Sequence, residues 1–350
     1  MVVLDAPYGG NTLPKGGVFC FTQTNHIPSH KIKQREVICL GKRGFFIIFF
    51  CLLLLVLGVF GTITLFLFHS PSKPTDGPSP DPSTITPGGS YHEQMTLAEE
   101  SAVYHTGYIH KYDSGYHRVY GIDISSWNNV NGGNIDWEQV HNAGIEYVFI
   151  RAALRGYGEE GNLVTDKYFH QNIQDAQANG LLVGCYIYSQ AITQEEAREE
   201  AQYILDLIRN YTVQMPVVMD CEFAEEAEGG GRLSQAELSP ELYALVCGAF
   251  CKEIRDAGYT PMVYGNVPML GESIRHDILG PTHLWVAQYN DICSLTSLDY
   301  TFWQFTNLAS VPGINGEVDV NVWYLPETVS LRPQDAVQWL QKTDGVSGVG

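Results

Sequence analysis

The chain has 350 residues, 45% hydrophobic and 12% aromatic, enough for one large folded domain with appendages. Its net charge is −19 at neutral pH. An acidic chain cannot gain affinity by neutralising phosphates, so nucleic acid is excluded as a partner, while a glycan is not.

Residues 1–44 form a basic segment expected in the cytoplasm. Lys15, Lys31, Lys33, Arg35, Lys42 and Arg43 stand there against Asp5 and Glu36. Residues 45–68, "FFIIFFCLLLLVLGVFGTITLFLF", hold no charged side chain. As a helix this run rises about 36 Å, enough to cross a hydrocarbon core of about 30 Å with some tilt. It is too long, and starts too far in, for a cleaved signal peptide. The basic cluster lies before it and none follows, which predicts a single-pass cell-membrane protein with residues 69 onward outside. Residues 69–90 are rich in Pro, Ser and Gly and read as a semi-extended linker.

Residues 91–118 carry many Tyr and His and are either a stalk or a packing segment. Thr96 and Glu99 have capping-box spacing, so a short helix is expected there. His105, His110 and His117 are poorly spaced for a metal site, and no metal is expected. The outer cysteines, Cys185, Cys221, Cys247, Cys251 and Cys293, include no C-x-x-C pair, which argues against zinc, and buried free thiols are expected over any disulfide.

From Val119 short apolar runs alternate with helical stretches. "VYGIDIS" predicts a strand ending near Asp123, and "DWEQVHNAG" a helix stopped by Gly144. "EYVFIRAAL" is the next strand. "DKYFHQNIQDAQANG" follows as a helix capped by Asp166 and stopped by Gly180. Then come the strand "LLVGCYIYS" and the helix "TQEEAREEAQYILDLIRN", with Thr193 and Glu196 as a capping box. "QMPVVMDCEF" is a strand. The helix "SPELYALVCGAFCKEIRDAG" has Ser239 as cap and Leu242, Leu245, Val246, Ala249 and Phe250 as its apolar face. "TPMVYGN", "HLWVAQYN", "TFWQFT" and "VDVNVW" close the series with few helices between them. Residues 328–350 form a C-terminal tail with one short packing helix.

This alternation implies parallel strands joined by crossovers. About eight strands predict an α/β, TIM-like (β/α) barrel over residues 119–327, with helices missing late in the chain. An open doubly wound sheet is the alternative. No G-x-G-x-x-G follows the first strand, which argues against a nucleotide, and no cofactor is expected. In barrels the functional groups gather at the C-terminal ends of the strands. The polar residues there are Asp123, Arg151, Tyr188, Asp220, Glu222, Tyr264, Asn266, Gln288, Gln304 and Asp319. Carboxylates serve acid–base work, aromatic faces stack on sugar rings, and amides bind hydroxyls. Asp220 and Glu222 are two apart in "MPVVMDCEF", so they share one strand face and Cys221 points the other way. Like charges held close cannot all ionise, and one carboxyl kept protonated can serve as an acid. By spacing alone, a solvated strand end explains the pair equally well.

"YGIDISSWN…IDW", "GCYIYS", "PVVMDCEF", "PMVYGN", "LWVAQYN" and "FWQFTN…VPGINGEVDVNVW" together resemble, in order, the motifs of glycoside hydrolase family 25, the Chalaropsis-type lysozymes. The resemblance covers residues 119–325. It implies a flattened β/α barrel that cleaves the β-1,4 bond between N-acetylmuramic acid and N-acetylglucosamine in peptidoglycan. It places the family's acidic quartet on Asp123, Asp220, Glu222 and Asp319. Glu222 would be the general acid. Asp220 would orient the substrate N-acetyl group, which itself can attack the anomeric carbon, while Asp123 and Asp319 would tune charge and position. "DISSWNNVNGGNIDW" is longer than the family's usual loop after the first carboxylate, which leaves subsite contacts near Asn128 and Asn129 open.

The expected substrate-binding residues are Tyr186, Tyr188, Tyr264, Gln288, Trp303 and Gln304. Trp303 and Trp285 fit a core role as well as a stacking one, and Arg151 fits a structural ion pair as well as a ligand. The expected partners are peptidoglycan glycan strands and, through residues 45–68, a membrane; the chain is expected to be a monomer. The competing reading is a catalytically silent barrel that binds wall glycan.

Overall fold

The structure is a computed structural model that describes residues 93–95, 108, 110, 112, 114–224 and 230–343. The expected cytoplasmic segment, membrane span and linker lie outside the described residues. Among the described residues no helix is long and apolar enough to cross a membrane.

Nine strands are present among the described residues: β1 (Tyr116–Ile124), β2 (Tyr147–Arg155), β3 (Leu163–Thr165), β4 (Leu182–Ser189), β5 (Val217–Cys221), β6 (Pro261–Asn266), β7 (His283–Ala287), β8 (Phe302–Ala309) and β9 (Val318–Pro326). They are ordered β1-β9-β8-β7-β6-β5-β4-β2-β3, and β1 also pairs with β2. The sheet therefore closes into an eight-stranded barrel, with β3 added as an edge strand on β2. The open-sheet alternative falls with that closure. The expectation of purely parallel strands is corrected at two places. β3 runs antiparallel to β2, and β9 runs antiparallel to both β1 and β8. Only residues 310–317 separate β8 from β9, too few for a crossover back to a parallel start.

The helices are α1 (Ser126–Gly132), α2 (Trp137–Asn142), α3 (Phe169–Ala178), α4 (Gln194–Ile208), α5 (Gly231–Gln235), α6 (Pro240–Asp256), α7 (Val267–Glu272), α8 (His276–Leu279) and α9 (Pro333–Lys342). Thr193 and Ser239 cap α4 and α6 as their sequences predict. Asp166 does not cap α3. That helix starts at Phe169 with no side-chain cap, because both Asp166 carboxylate oxygens are spent on Arg151, Ser126 and Tyr168. The apolar face of α6 is also rotated from its expected position. Tyr243, Val246, Cys247, Phe250 and Ile254 are buried, while Leu242 and Leu245 are exposed.

Two apolar layers follow from the strand alternation. Ile122, Val148, Ile150, Ile187, Met219, Cys221, Val263 and Trp303 point outward against the helices. Tyr147, Phe149, Val218, Met262, Trp285, Phe302 and Trp323 point inward and fill the barrel. Small residues make room for those rings. A Cβ on Gly121 would lie within the Tyr147 ring, and one on Gly184 within the Phe149 ring. The closed end is sealed by Ala336 and Leu340 of α9 and by Met95, whose N–H donates to the Leu331 carbonyl at 2.8 Å. Tyr108 packs on Trp303 and Phe305, and His110 bonds the Tyr324 hydroxyl at 2.8 Å. All five outer cysteines are buried and free.

Candidate active site

At the open end a cavity of about 330 Å³ is lined by Asp123, Trp127, Arg151, Tyr186, Tyr188, Asp220, Glu222, Tyr264, Trp285, Tyr289, Gln304 and Asp319. All four expected carboxylates meet there. Asp123 is near the end of β1, Asp220 is in β5, and Glu222 follows β5 by one residue. Asp319 reaches the mouth differently from its expected place at a strand's C-terminal end. It is the second residue of β9, and the reversed direction of β9 sets it opposite Asp123 in the ladder.

Asp123 is held by two side-chain amides. Its Oδ2 accepts from Gln304 Nε2 at 2.7 Å and from Asn321 Nδ2 at 2.9 Å. Those amides are themselves fixed. The Tyr264 and Tyr289 hydroxyls donate to Gln304 Oε1 at 2.8 and 2.9 Å, and Trp285 Nε1 donates to Asn321 Oδ1 at 2.8 Å. Burial pushes the Asp123 carboxyl up to about 6, with the two amide donors holding it back. Asp319 lacks such donors. Burial, then Asp123 and Glu222, push it to about 9. Asp220 is also raised well above the usual carboxylate range, first by burial and then by Glu222, with which it shares a hydrogen bond. Its Oδ1 is buried and has no partner. Asp319 therefore keeps its proton at neutral pH, while Asp123, pushed only to about 6, is the readier of the two to carry charge. Such a site can donate a proton while holding an anion beside it.

Of the expected substrate-binding residues, Tyr186, Tyr188, Tyr264 and Gln304 line the cavity. Trp303 does not. It is fully buried in the layer outside the barrel, and its Nε1 donates to the Gln288 carbonyl at 3.0 Å. Trp303 and Gln304 are adjacent in β8, so they cannot share a face. Gln288 also stays off the cavity wall, because its amide is spent on Ser294 through two bonds. Trp285 faces the cavity and stacks on Phe149. Arg151 lines the wall as an ion-pair partner of Asp166 at 2.8 Å, with Nη2 donating to Ser126.

Sequence reading missed Trp127, Tyr289 and Asn321. Trp127 is 66% exposed on α1, which Ser125 caps with Asn128 returning the bond. Asn129 is locked to Asn172 by reciprocal amide bonds of 3.1 and 2.8 Å, so both asparagines of that loop hold the structure. The long loop thus presents an indole at the mouth. Asn321 was legible: Asp319, Asn321 and Trp323 alternate along β9 and face inward together.

The sequence model of "Glycosyl hydrolases family 25" matches residues 122–314. The uncharacterized protein YegX of Escherichia coli (strain K12) is 28% identical over 249 residues, 64% of this chain and 80% of that protein. The autolytic lysozyme of Clostridium acetobutylicum is 24% identical over 201 residues, 57% of this chain and 54% of that protein. The modular autolysin LytC of Streptococcus pneumoniae, solved with a synthetic peptidoglycan ligand, shares the fold with a TM-score of 0.50 at 24% identity. That match covers 63% of this chain and 53% of the autolysin, about half its length. A family match over more than half of the chain, on a closed barrel whose mouth gathers four carboxylates, leads to one conclusion: this chain belongs to glycosyl hydrolase family 25 and is a glycoside hydrolase.

Proposed function

We propose that the chain hydrolyses the β-1,4 bond between N-acetylmuramic acid and N-acetylglucosamine in peptidoglycan. The observation that carries the reading is the unpartnered, buried Oδ1 of Asp220 beside Glu222 in the cavity. A buried polar atom without a partner costs about 1–3 kcal/mol, so its place in a substrate cavity points to a donor that arrives with the substrate. An acetamido N–H is such a donor. Held by Asp220, the acetamido oxygen attacks the anomeric carbon while Glu222 protonates the departing glycosidic oxygen. Water then opens the cyclic intermediate and returns its proton to Glu222. Two inversions leave the configuration retained. Asp123, fixed by Gln304 and Asn321, stabilises the positive charge that grows on the sugar.

The exposed aromatics support a polymeric substrate. Trp127, Tyr157, Phe223 and Tyr289 are exposed and follow β1, β2, β5 and β7, all at the mouth end. Their faces suit successive sugar rings. The same proposal puts the barrel outside the cell, tethered by residues 45–68 with residues 1–44 in the cytoplasm. The basic cluster before the apolar run supports that orientation. Protease added to spheroplasts should then remove the barrel and spare an N-terminal tag; the opposite pattern overturns the orientation.

The test of the reaction is chemical. Purified peptidoglycan is digested, and the new reducing ends are converted with borohydride and identified. Muramitol is expected. Glucosaminitol would mean the other bond is cut, and no new ends with glycan still bound would make the barrel a binding module.

A further inference from the structure

Glu222 has left the ladder that fixes the rest of its strand. The last β4–β5 pair is Ser189 with Cys221, and the last β5–β6 pair is Asp220 with Tyr264. Glu222 lies one residue beyond those pairs, and an acid must be placed to within a fraction of an ångström to protonate one oxygen. A side chain reaches it there. Gln190 follows β4 directly and is fully buried. Its Nε2 donates to the carbonyl of Glu222 at 2.7 Å and to that of Ser189 at 3.0 Å. Its Oε1 accepts from the Leu233 N–H at 3.3 Å. Every hydrogen-bonding position of the amide nitrogen is used.

The far side of the same amide is also fixed. Gly231 has φ +76°, which favours glycine, and a Cβ there would come 2.9 Å from Gln190 Oε1. Arg232 grips Glu196 of α4 through both terminal nitrogens and donates to the Gln190 carbonyl at 2.9 Å. The Ala224 N–H donates to the Gly230 carbonyl at 3.1 Å, closing the neck of the chain that leaves after Glu222. Gln190 thus stands between β4, the residue after β5 and the start of α5.

We infer that Gln190 is a positioning residue for the proton donor: its buried amide holds the Glu222 carbonyl and so sets where the Glu222 carboxyl sits. The inference rests on Glu222 being the general acid. Gln190→Met fills similar volume without a donor and takes away the bond to the Glu222 carbonyl. Turnover on peptidoglycan should fall about 10- to 100-fold with KM little changed, the cost of a displacement near 1 Å. The melting temperature and KM separate this from a general loss of structure. A double variant sharpens it further. In a Glu222→Gln background the residual turnover should not fall again on adding Gln190→Met, because the residue acts only through the acid. Gln190→Glu keeps the shape and the acceptor for Leu233 and serves as the second variant if the methionine chain does not fold; the same loss is expected. Wild-type turnover in a folded Gln190 variant, or a full additional loss in the Glu222→Gln background, overturns the inference. If Glu222→Gln is itself active, the reading of Glu222 and this inference fall together. If Glu222→Gln is inactive while Gln190 variants match the wild type, only this inference falls.

Discussion

At the closed end of the barrel His283 spends both ring nitrogens: Nδ1 bonds Thr301 at 2.7 Å, and Nε2 bonds the Leu340 carbonyl at 3.0 Å. At the mouth Asp220 keeps a buried oxygen with no partner, and Asp319 is driven to about 9. One end holds a polar ring among apolar side chains by satisfying it. The other crowds acids whose charges oppose one another. A barrel carries such a mouth when its interior is packed as this one is, with Phe149 stacked on Trp285 and Phe302 on Trp323. The floor supplies stability, and the mouth spends it on chemistry.

Substitutions at the two ends should therefore separate activity from stability. Asp220→Asn leaves a carbonyl acceptor but takes away the carboxyl that can bear the charge proposed to hold and polarise the acetamido group. Activity on peptidoglycan should fall at least about 10²-fold with the fold retained, measured by release of reducing ends. Leu340→Ala empties a fully buried position at the closed end. It should cost about 2–5 kcal/mol in denaturant unfolding and leave turnover in the remaining folded protein unchanged. A large loss of turnover there would mean that the floor and the mouth are not separable.

Trp127→Ala removes an exposed ring from the rim. KM for long glycan should rise about 5- to 30-fold, with kcat less affected, if the indole is worth about 1–2 kcal/mol of stacking. The effect of Asp319→Asn is read on stability, and it depends on pH. Asp319 is lifted to about 9 from an unfolded value of 3.8. Between those values the folded chain keeps a proton that the unfolded chain has lost. Stability is thus full below the lower value and is lost as pH rises through about 9. The asparagine variant escapes that loss, so its melting temperature should gain on the wild type as pH is raised from 5 to 8. A constant difference would show that Asp319 is charged throughout.

Much of this contrast was legible in the chain. Asp220 and Glu222 share a face by their spacing, and the order of six motifs joins them to Asp123 and Asp319 across the sequence. The direction of β9 was harder, because "VDVNVW" alternates equally well either way. The short link from Ala309 to Val318 was the available clue. Trp303 could have been set aside by its adjacency to Gln304. Trp127, Tyr289 and Gln190 lie outside strands, where no period of two fixes a direction, so only the folded chain brings them to the cavity or to Glu222. The exposed Leu242 and Leu245 of α6 show the same limit: hydrophobicity marked an apolar helix but not which stripe faces the sheet.

The most direct measurement is made on Glu222→Gln, with turnover on peptidoglycan and melting temperature read from one preparation. The amide keeps the shape of the side chain and cannot act as an acid. General acid catalysis is worth roughly 10²–10⁴-fold, so turnover should fall at least that far while binding to peptidoglycan survives. The melting temperature should hold or rise, because one of the mutually repelling carboxyls is gone. A folded Glu222→Gln chain that retains most of the wild-type turnover would contradict the account.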